Sequence, residues 1–239
     1  MSRRFTAARP IRLSDTDATG RLRLDAIARY LQDVASDDWE DAGFGESDSA
    51  WVVRRTELAV TRPFRTDLTV ELETWCSGIA GSAASRRYSL RGDAGGTAEA
   101  ESIWIHLDPS LRPRRLDARF LAVYGPSAQG RKAPTRFTLD MDIQVPGHGD
   151  PWSIRATDID RLGHVNNAAY WAPLEEVWAD RLAGTLHAVL EYRKPIDLGE
   201  QVEIVQSGQL AWLVAAGDVR SAARLDPEGA AHAAQLARR

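Results

Sequence analysis

The sequence predicts an α+β protein of two tandem units, each an antiparallel sheet wrapped around a central helix, and three observations carry that expectation. A motif recurs: Arg12-Leu13-Ser14-Asp15-Thr16-Asp17-Ala18-Thr19-Gly20 aligns with Arg155-Ala156-Thr157-Asp158-Ile159-Asp160-Arg161-Leu162-Gly163, sharing Asp-x-Asp-x-x-Gly. Further along, Leu58, Pro63, Val70 and Glu71 align in the same order with Leu190, Pro195, Val202 and Glu203. Each copy of the motif is followed by helical spacing and then by strand-like segments, so one order of elements occurs twice. With 239 residues and 44% hydrophobic content, the chain can bury a core as one large domain or two small ones.

In the first half, Leu24, Ile27, Ala28, Leu31, Val34 and Ala35 follow the spacing of one helical face. Thr69 to Cys76 alternates, with Val70, Leu72, Thr74 and Cys76 on one side and Glu71 and Glu73 on the other, as a half-buried strand does. Trp51 to Val60, Ser85 to Arg91 and Ala98 to Leu107 are further strands, rich in aromatic and β-branched residues and set apart by glycine-containing turns. Gly125-Pro126-Ser127-Ala128-Gln129-Gly130-Arg131-Lys132-Ala133-Pro134 reads as a linker, which divides the chain into units at 1–128 and 135–239. In the second half Tyr170, Leu174, Val177, Trp178 and Leu182 mark a helix face, and strands are expected near 186–194, 200–207, 209–216 and 218–225. Ala230 to Arg238 suits a helix by its alanines and a strand by the repeat. In each unit the helix is the one apolar element large enough to bury the inner face of the sheet.

Composition narrows the function. The 30 basic and 34 acidic residues give a net charge of -4, with no global electrostatic reason to bind nucleic acid or a membrane surface. Cys76, the single cysteine, has no internal disulfide partner and points to a reducing compartment. The start Met1-Ser2-Arg3-Arg4-Phe5 lacks the apolar run of a signal peptide, and no stretch approaches the roughly 18 apolar residues of a membrane helix. A soluble, cytoplasmic protein is expected.

The most informative segment runs from Asp158 to Tyr170: Asp-Ile-Asp-Arg-Leu-Gly-His-Val-Asn-Asn-Ala-Ala-Tyr. It places carboxylates, a glycine, a histidine and two amide side chains at a helix start. Asn166 or Asn167 can cap the free amides of the first turn, Gly163 permits a tight approach, and the positive end of the helix favours an anion. A capped helix after a turn would use the same residue types. Asp-x-Asp-x-x-Gly-His-Val-Asn-Asn-x-x-Tyr, however, resembles the signature at the central helix of hotdog-fold thioesterases. The tandem arrangement, Leu190-Glu191-Tyr192-Arg193 after the helix, and Ser102-Ile103-Trp104 leading to Arg112-Pro113-Arg114-Arg115 resemble the double-hotdog acyl-acyl carrier protein (acyl-ACP) thioesterases, from about Phe5 to Leu225.

The resemblance implies two hotdog units and hydrolysis of the thioester between a fatty acyl chain and its carrier, with no metal and no cofactor. It puts the catalytic aspartate on Asp160 and the catalytic histidine on His164. Gly163, Asn166 and Asn167 are the expected substrate-binding residues beside them, with the two asparagines supporting the helix entry and not the chemistry. The family's asparagine falls on Leu162, its later glutamate and cysteine on Pro195 and Ile196, and its helix glutamate on Glu176, whose neighbour Glu175 suggests a solvated acidic face. Three polar roles are therefore missing. The match of Asp160 to Asn167 with single-hotdog acyl-coenzyme A thioesterases suggests a site that relies on the aspartate and the helix start. Asp160 can act as nucleophile or as base, and the His164 amide, expected at the helix start, as an oxyanion donor.

The first copy has Arg21 where the second has His164, so the first unit is expected to line the acyl pocket and support the sheet, with Asp17 as a turn residue. Trp39, Trp51, Phe64 and Trp75 are candidates for closing an acyl path, or plain core. Cys76 reads as a small core residue. Arg54-Arg55, Arg86-Arg87 and Arg112 to Arg115 would suit an acidic acyl carrier protein, although arginines also meet the phosphates of coenzyme A. Two functions stay open: a thioesterase acting on acyl-ACP or acyl-coenzyme A, and a fatty-acyl-binding double hotdog without turnover. One chain supplies both halves, so a monomer suffices as a pseudo-dimer and a homodimer is allowed.

Overall fold

A computed structural model describes residues 2–45, 50–141, 149–227, 229 and 236. The first half contributes strands β1 (Phe5–Pro10), β2 (Ala50–Arg62), β3 (Thr69–Ala80), β4 (Ala83–Gly92) and β5 (Thr97–Leu107), with helices α1 (Leu24–Asp41) and α2 (Ala118–Ala128). The second contributes β6 (Asp150–Trp152), α3 (Ala172–Val177), β7 (Leu186–Tyr192), β8 (Val202–Ser207), β9 (Leu210–Ala215) and β10 (Asp218–Asp226). They form one ten-stranded sheet in the order β1-β3-β4-β5-β2-β7-β10-β9-β8-β6. Every pairing is antiparallel.

That order is the repeat made visible. Reading outward from the centre, β2-β5-β4-β3-β1 corresponds strand by strand to β7-β10-β9-β8-β6, so the halves are related by a pseudo-dyad through the β2/β7 pair. Glu57 faces Val189 there. These two residues are also each other's equivalents in the alignment that matches Leu58 with Leu190, so the axis passes between them. The expected α+β pattern of helix-wrapped antiparallel sheets is what the chain adopts.

The inner face packs on the helices. Leu24, Ile27, Leu31 and Val34 of α1 share one core with Leu58, Leu72 and Leu90 of the first half and Leu190 and Leu213 of the second. α2 continues this layer beyond the end of α1, where Phe120 and Tyr124 join Trp39, Phe44 and Trp51 in an aromatic cluster that also covers Cys76. Burial pushes the Cys76 thiol up to about 11, which keeps it protonated and inert. On the outer face, Leu139 and Met141 lie against Val189 and Trp212.

Three expectations change. The second helix is not one continuous element: a 3-10 turn over Ala169–Trp171 leads into the six-residue α3, and another 3-10 turn follows at Ala179–Arg181. Pro173 lacks the amide that a longer helix would use, although Tyr170, Leu174, Trp178 and Leu182 still face the core. The linker begins later than its glycine and proline suggest, because Gly125 to Ala128 complete α2, whose first turn is capped by the Asp117 carboxylate accepting from Phe120 N–H at 2.7 Å. The short edge strands β1 and β6 were not expected at all. Ala230 to Arg238 lies outside the described residues except for Leu236, which packs on Ala59.

Candidate active site

The two copies of the Asp-x-Asp-x-x-Gly motif fold into the same backbone turn. Asp17 N–H donates to the Arg21 carbonyl at 2.9 Å, and Asp160 N–H donates to the His164 carbonyl at 2.9 Å. Gly20 and Gly163 both have positive φ, 81° and 83°, and each donates its N–H to the carbonyl of Asp17 or Asp160 at 3.0 Å. A side chain would be strained at that φ, which explains the shared glycine. Leu22 and Val165 donate to the carbonyls of Phe64 and Ile196, both at 2.9 Å, and so pin each turn to the loop after β2 or β7. Upstream, Asp15 and Asp158 accept from the backbone N–H of Arg12 and Arg155 at 3.0 and 2.9 Å. Burial pushes both carboxyls up, but hydrogen bonds outweigh it and hold them below the usual range. The donors are Tyr30, Arg12 and Arg29 for Asp15, and Arg155 for Asp158.

Identical backbones carry different side chains, and here the copies part. In the first, the Asp17 carboxylate is saturated. Oδ1 accepts from Thr19 N–H, the Thr19 hydroxyl and Arg21 N–H, while Oδ2 pairs with Arg21 Nε at 3.0 Å. Buried Arg21 also pairs with Glu175 of α3 at 2.6 Å, and Glu175 accepts the N–H of Leu24, the first residue of α1. Glu175 is thus the cap of a helix from the other half. It is not part of a solvated acidic face, whereas Glu176 is exposed.

In the second copy, the Asp160 carboxylate accepts only from Leu162 N–H among the described residues, at 2.8 Å through Oδ1, which leaves Oδ2 open. His164 replaces the arginine. Its Nδ1 lies 2.6 Å from Asp197 Oδ1, and the two residues also form a β-bridge. A carboxylate only accepts, so Nδ1 carries a proton, and Nε2 has no hydrogen-bond partner among the described residues. Asp197 is held in its turn by Glu200, whose carboxylate accepts Asp197 N–H at 2.8 Å and is itself paired with Arg220. Asp197 was missed in the sequence. It stands directly after Pro195 and Ile196, the two positions that lack the polar residues of the resembled pattern.

Asn166 caps the following turn through its side-chain oxygen, which accepts Ala168 N–H at 2.9 Å. Asn167 lines a crevice with Ala28, Leu31 and Gln32 of α1 and with Tyr192. Gln32 follows Asp15 by the same distance as Glu175 follows Asp158. A neutral amide therefore stands beside the second copy where the first has its capping carboxylate. The helix begins only at Ala169, so the His164 amide lies in the β-bridge and not in a first helical turn, contrary to expectation. Leu162 is 54% exposed at the tip of its turn.

The expected arginine surface is mostly interior. Arg55 pairs with buried Glu191 at 3.5 Å, Arg54 stacks over Phe137 at 3.9 Å, and Arg86 and Arg87 are buried. Arg112, Arg114 and Arg115 remain exposed. Of the aromatic candidates, Trp39 and Trp51 close the α2 end and Phe64 is core, but Trp75 stacks under Arg4 at 4.1 Å and does not join the inner cluster. Among the described residues no cluster of side chains is suited to a metal, and no helix is long and apolar enough to cross a membrane.

Known proteins share the double-hotdog architecture. Residues 2–123 match the family model of the acyl-ACP thioesterase N-terminal domain, and residues 147–231 that of the C-terminal domain. The uncharacterized protein Rv2001 of Mycobacterium tuberculosis (strain ATCC 25618 / H37Rv) is 34% identical over 203 residues, covering 84% of this chain and 81% of that protein. In fold, the chain is similar to an acyl-ACP thioesterase from Bacteroides thetaiotaomicron VPI-5482, with TM-score 0.77, 17% identity and coverage of 93% and 96% of the two chains. It is also similar to the 12:0-ACP thioesterase from Umbellularia californica, with TM-score 0.71, 20% identity and coverage of 93% and 96%. With both domain models matched in order on one double-hotdog sheet, the chain belongs to the acyl-ACP thioesterase family.

Proposed function

We propose that this chain hydrolyses fatty acyl thioesters in the cytoplasm, with acyl-ACP as substrate and free fatty acid as product, through Asp160 and His164. One observation carries the reading. Of two turns with the same backbone, one has its carboxylate saturated and its arginine locked by Glu175, while the other leaves an Asp160 oxygen open beside a held histidine. The catalytic unit is the second, 135–239, and the first, 1–128, supplies α1 as the opposite wall.

Asp160 takes a proton from water as the water oxygen forms a bond to the thioester carbonyl carbon, and the carbonyl electrons move to its oxygen. His164 Nε2 accepts the water's other hydrogen and fixes its direction, with Asp197 holding the ring. Collapse breaks the carbon–sulfur bond, and the leaving thiolate takes the proton from Asp160. One water is consumed, and one acid and one thiol leave. Gly163, Asn166 and Asn167 shape the approach to the carbonyl, and exposed Arg112, Arg114 and Arg115 offer positive charge to an acidic carrier protein.

The test is thiol release from acyl-ACP by wild type and by Asp160→Asn, an isosteric change. The variant is expected to lose at least about a hundredfold in kcat with its melting temperature unchanged. Full activity in Asp160→Asn, or no thiol release by wild type from any acyl thioester, overturns the reading and leaves an acyl-binding protein.

A further inference from the structure

The two halves differ once more at the crevice between α1 and the segment after His164. In the first half Leu24 N–H, the first amide of α1, is taken by the Glu175 carboxylate, which Arg21 neutralises. In the aligned second copy Asn167 stands at the place of Leu24, and Gln32 of α1 stands at the place of Glu175. Asn167 N–H has no acceptor among the described residues, and the Gln32 side chain makes no hydrogen bond among them. Both line the same crevice.

The backbone at Asn167 is fixed. The Tyr192 hydroxyl donates to its carbonyl at 2.9 Å. Asn166 N–H donates to the Asp158 carbonyl at 2.7 Å, as Arg23 N–H does to the Asp15 carbonyl at 3.0 Å. This bond folds the segment back against the turn that carries Asp160. Because the two backbones match, Asn167 N–H is directed at position 32 as Leu24 N–H is at position 175. The other polar groups of the crevice are already engaged: the Thr56 and Ser102 hydroxyls pair at 3.1 Å, and Trp104 serves the Tyr88 hydroxyl. The space left is about 10 Å³, room for one water or one carbonyl oxygen.

A carboxylate at position 32 would accept Asn167 N–H and fill that space, as Glu175 does for Leu24. It would also stand beside developing negative charge without a cation to neutralise it, since His164, at the place of Arg21, gives its Nδ1 proton to Asp197. A glutamine reverses both effects, because its amide is neutral and its nitrogen donates. We propose that Gln32 is a catalytic residue: its side-chain N–H, together with Asn167 N–H, receives the thioester oxygen and the negative charge that oxygen gains when water adds to the carbonyl carbon. Both N–H bonds stay intact, and the electron pair returns to the carbonyl as the carbon–sulfur bond breaks. This rests on the thioesterase reading and gives the first unit a part in the chemistry, beyond that of a wall.

Thiol release is measured with acyl-ACP thioesters from hexanoyl to hexadecanoyl, and kcat and KM are taken on the best of them for wild type, Gln32→Ala and Gln32→Glu. Gln32→Ala is expected to lower kcat by about tenfold to a hundredfold, with KM changed by less than about threefold. Gln32→Glu should lower kcat by at least about a hundredfold while the melting temperature stays the same or rises, because the carboxylate caps Asn167 N–H. Hydrogen exchange of the Asn167 amide, read by NMR, should slow by at least about tenfold in that variant. A glutamine with a purely structural role would instead move stability and activity together, so a matching fall of both in the two variants counts against the proposal. Turnover by Gln32→Glu within about threefold of wild type, or unchanged exchange at Asn167, overturns this role and leaves the hydrolysis standing. No thiol release by wild type overturns the hydrolysis itself and this role with it.

Discussion

Asp160 and Asp17 show how little of a site lies in its backbone. The turns match hydrogen bond for hydrogen bond, yet one aspartate is saturated and the other is open. The sequence made this difference legible, because Arg21 stands against His164 in an aligned motif. Asp197 was not legible. Its hydrogen bond to His164 spans 33 residues and depends on a β-bridge that no local pattern announces. Its role is to hold the ring, so Asp197→Asn is expected to lower kcat by about tenfold with KM changed by less than about threefold, and Asp197→Glu to recover part of the loss. Equal loss in kcat and KM, or none, would show that His164 needs no such support. Leu162 raises the opposite case. Asp160 uses the backbone N–H of that residue and not its side chain, which points to solvent. Leu162→Asn should therefore change hydrolysis by less than about tenfold, and a gain of about a hundredfold would mean that the missing asparagine had left the enzyme crippled.

At the scale of elements, apolar spacing identified α1 and most strands of both halves, because long periodic segments leave a clear pattern. It misread the elements whose limits are set by contacts from elsewhere. α2 hides behind Gly125 and Pro126, and its helical register is held by the Asp117 cap and by Phe120 and Tyr124 in the aromatic cluster. The second helix is broken at Pro173, and its Glu175 turns away from solvent to serve α1. No sequence window contains both ends of that interaction. Glu175→Ala would remove the Leu24 cap and one of the two carboxylates that neutralise buried Arg21. A cost of about 2 kcal/mol is expected, or roughly 4–8 °C in melting temperature, read by thermal denaturation. Glu176→Ala, on the exposed side of the same turn, should leave the melting temperature unchanged, and equal effects of the two substitutions would contradict the capping role.

For the whole molecule, the repeat in the sequence becomes a pseudo-dyad, and the seam it passes through is β2 against β7. Inside, Leu58, Leu190 and Ala188 bury the seam in the shared core. Outside, His187 Nε2 lies 2.8 Å from Glu57, and Glu191 faces Arg55. Glu191 has no solvent exposure, and besides Arg55 it receives the Thr138 N–H and hydroxyl and the Leu139 N–H, which tie the start of the second unit to the join. A buried carboxylate with these partners is costly to remove, since its donors are left without an acceptor. Glu191→Ala should cost about 3–5 kcal/mol and Glu191→Gln less, because the amide oxygen still accepts. The seam also bears on assembly. A single-unit hotdog must find a second chain to complete its sheet, whereas here the tenth strand is reached within one chain and both walls of the crevice belong to it. Activity per chain should then be independent of concentration. Sedimentation at assay concentrations is expected to show a species of 26.4 kDa with undiminished specific activity on dilution. Specific activity that falls on dilution alongside dissociation of a dimer would mean that a second copy completes the site, and the pseudo-dimer would then be insufficient.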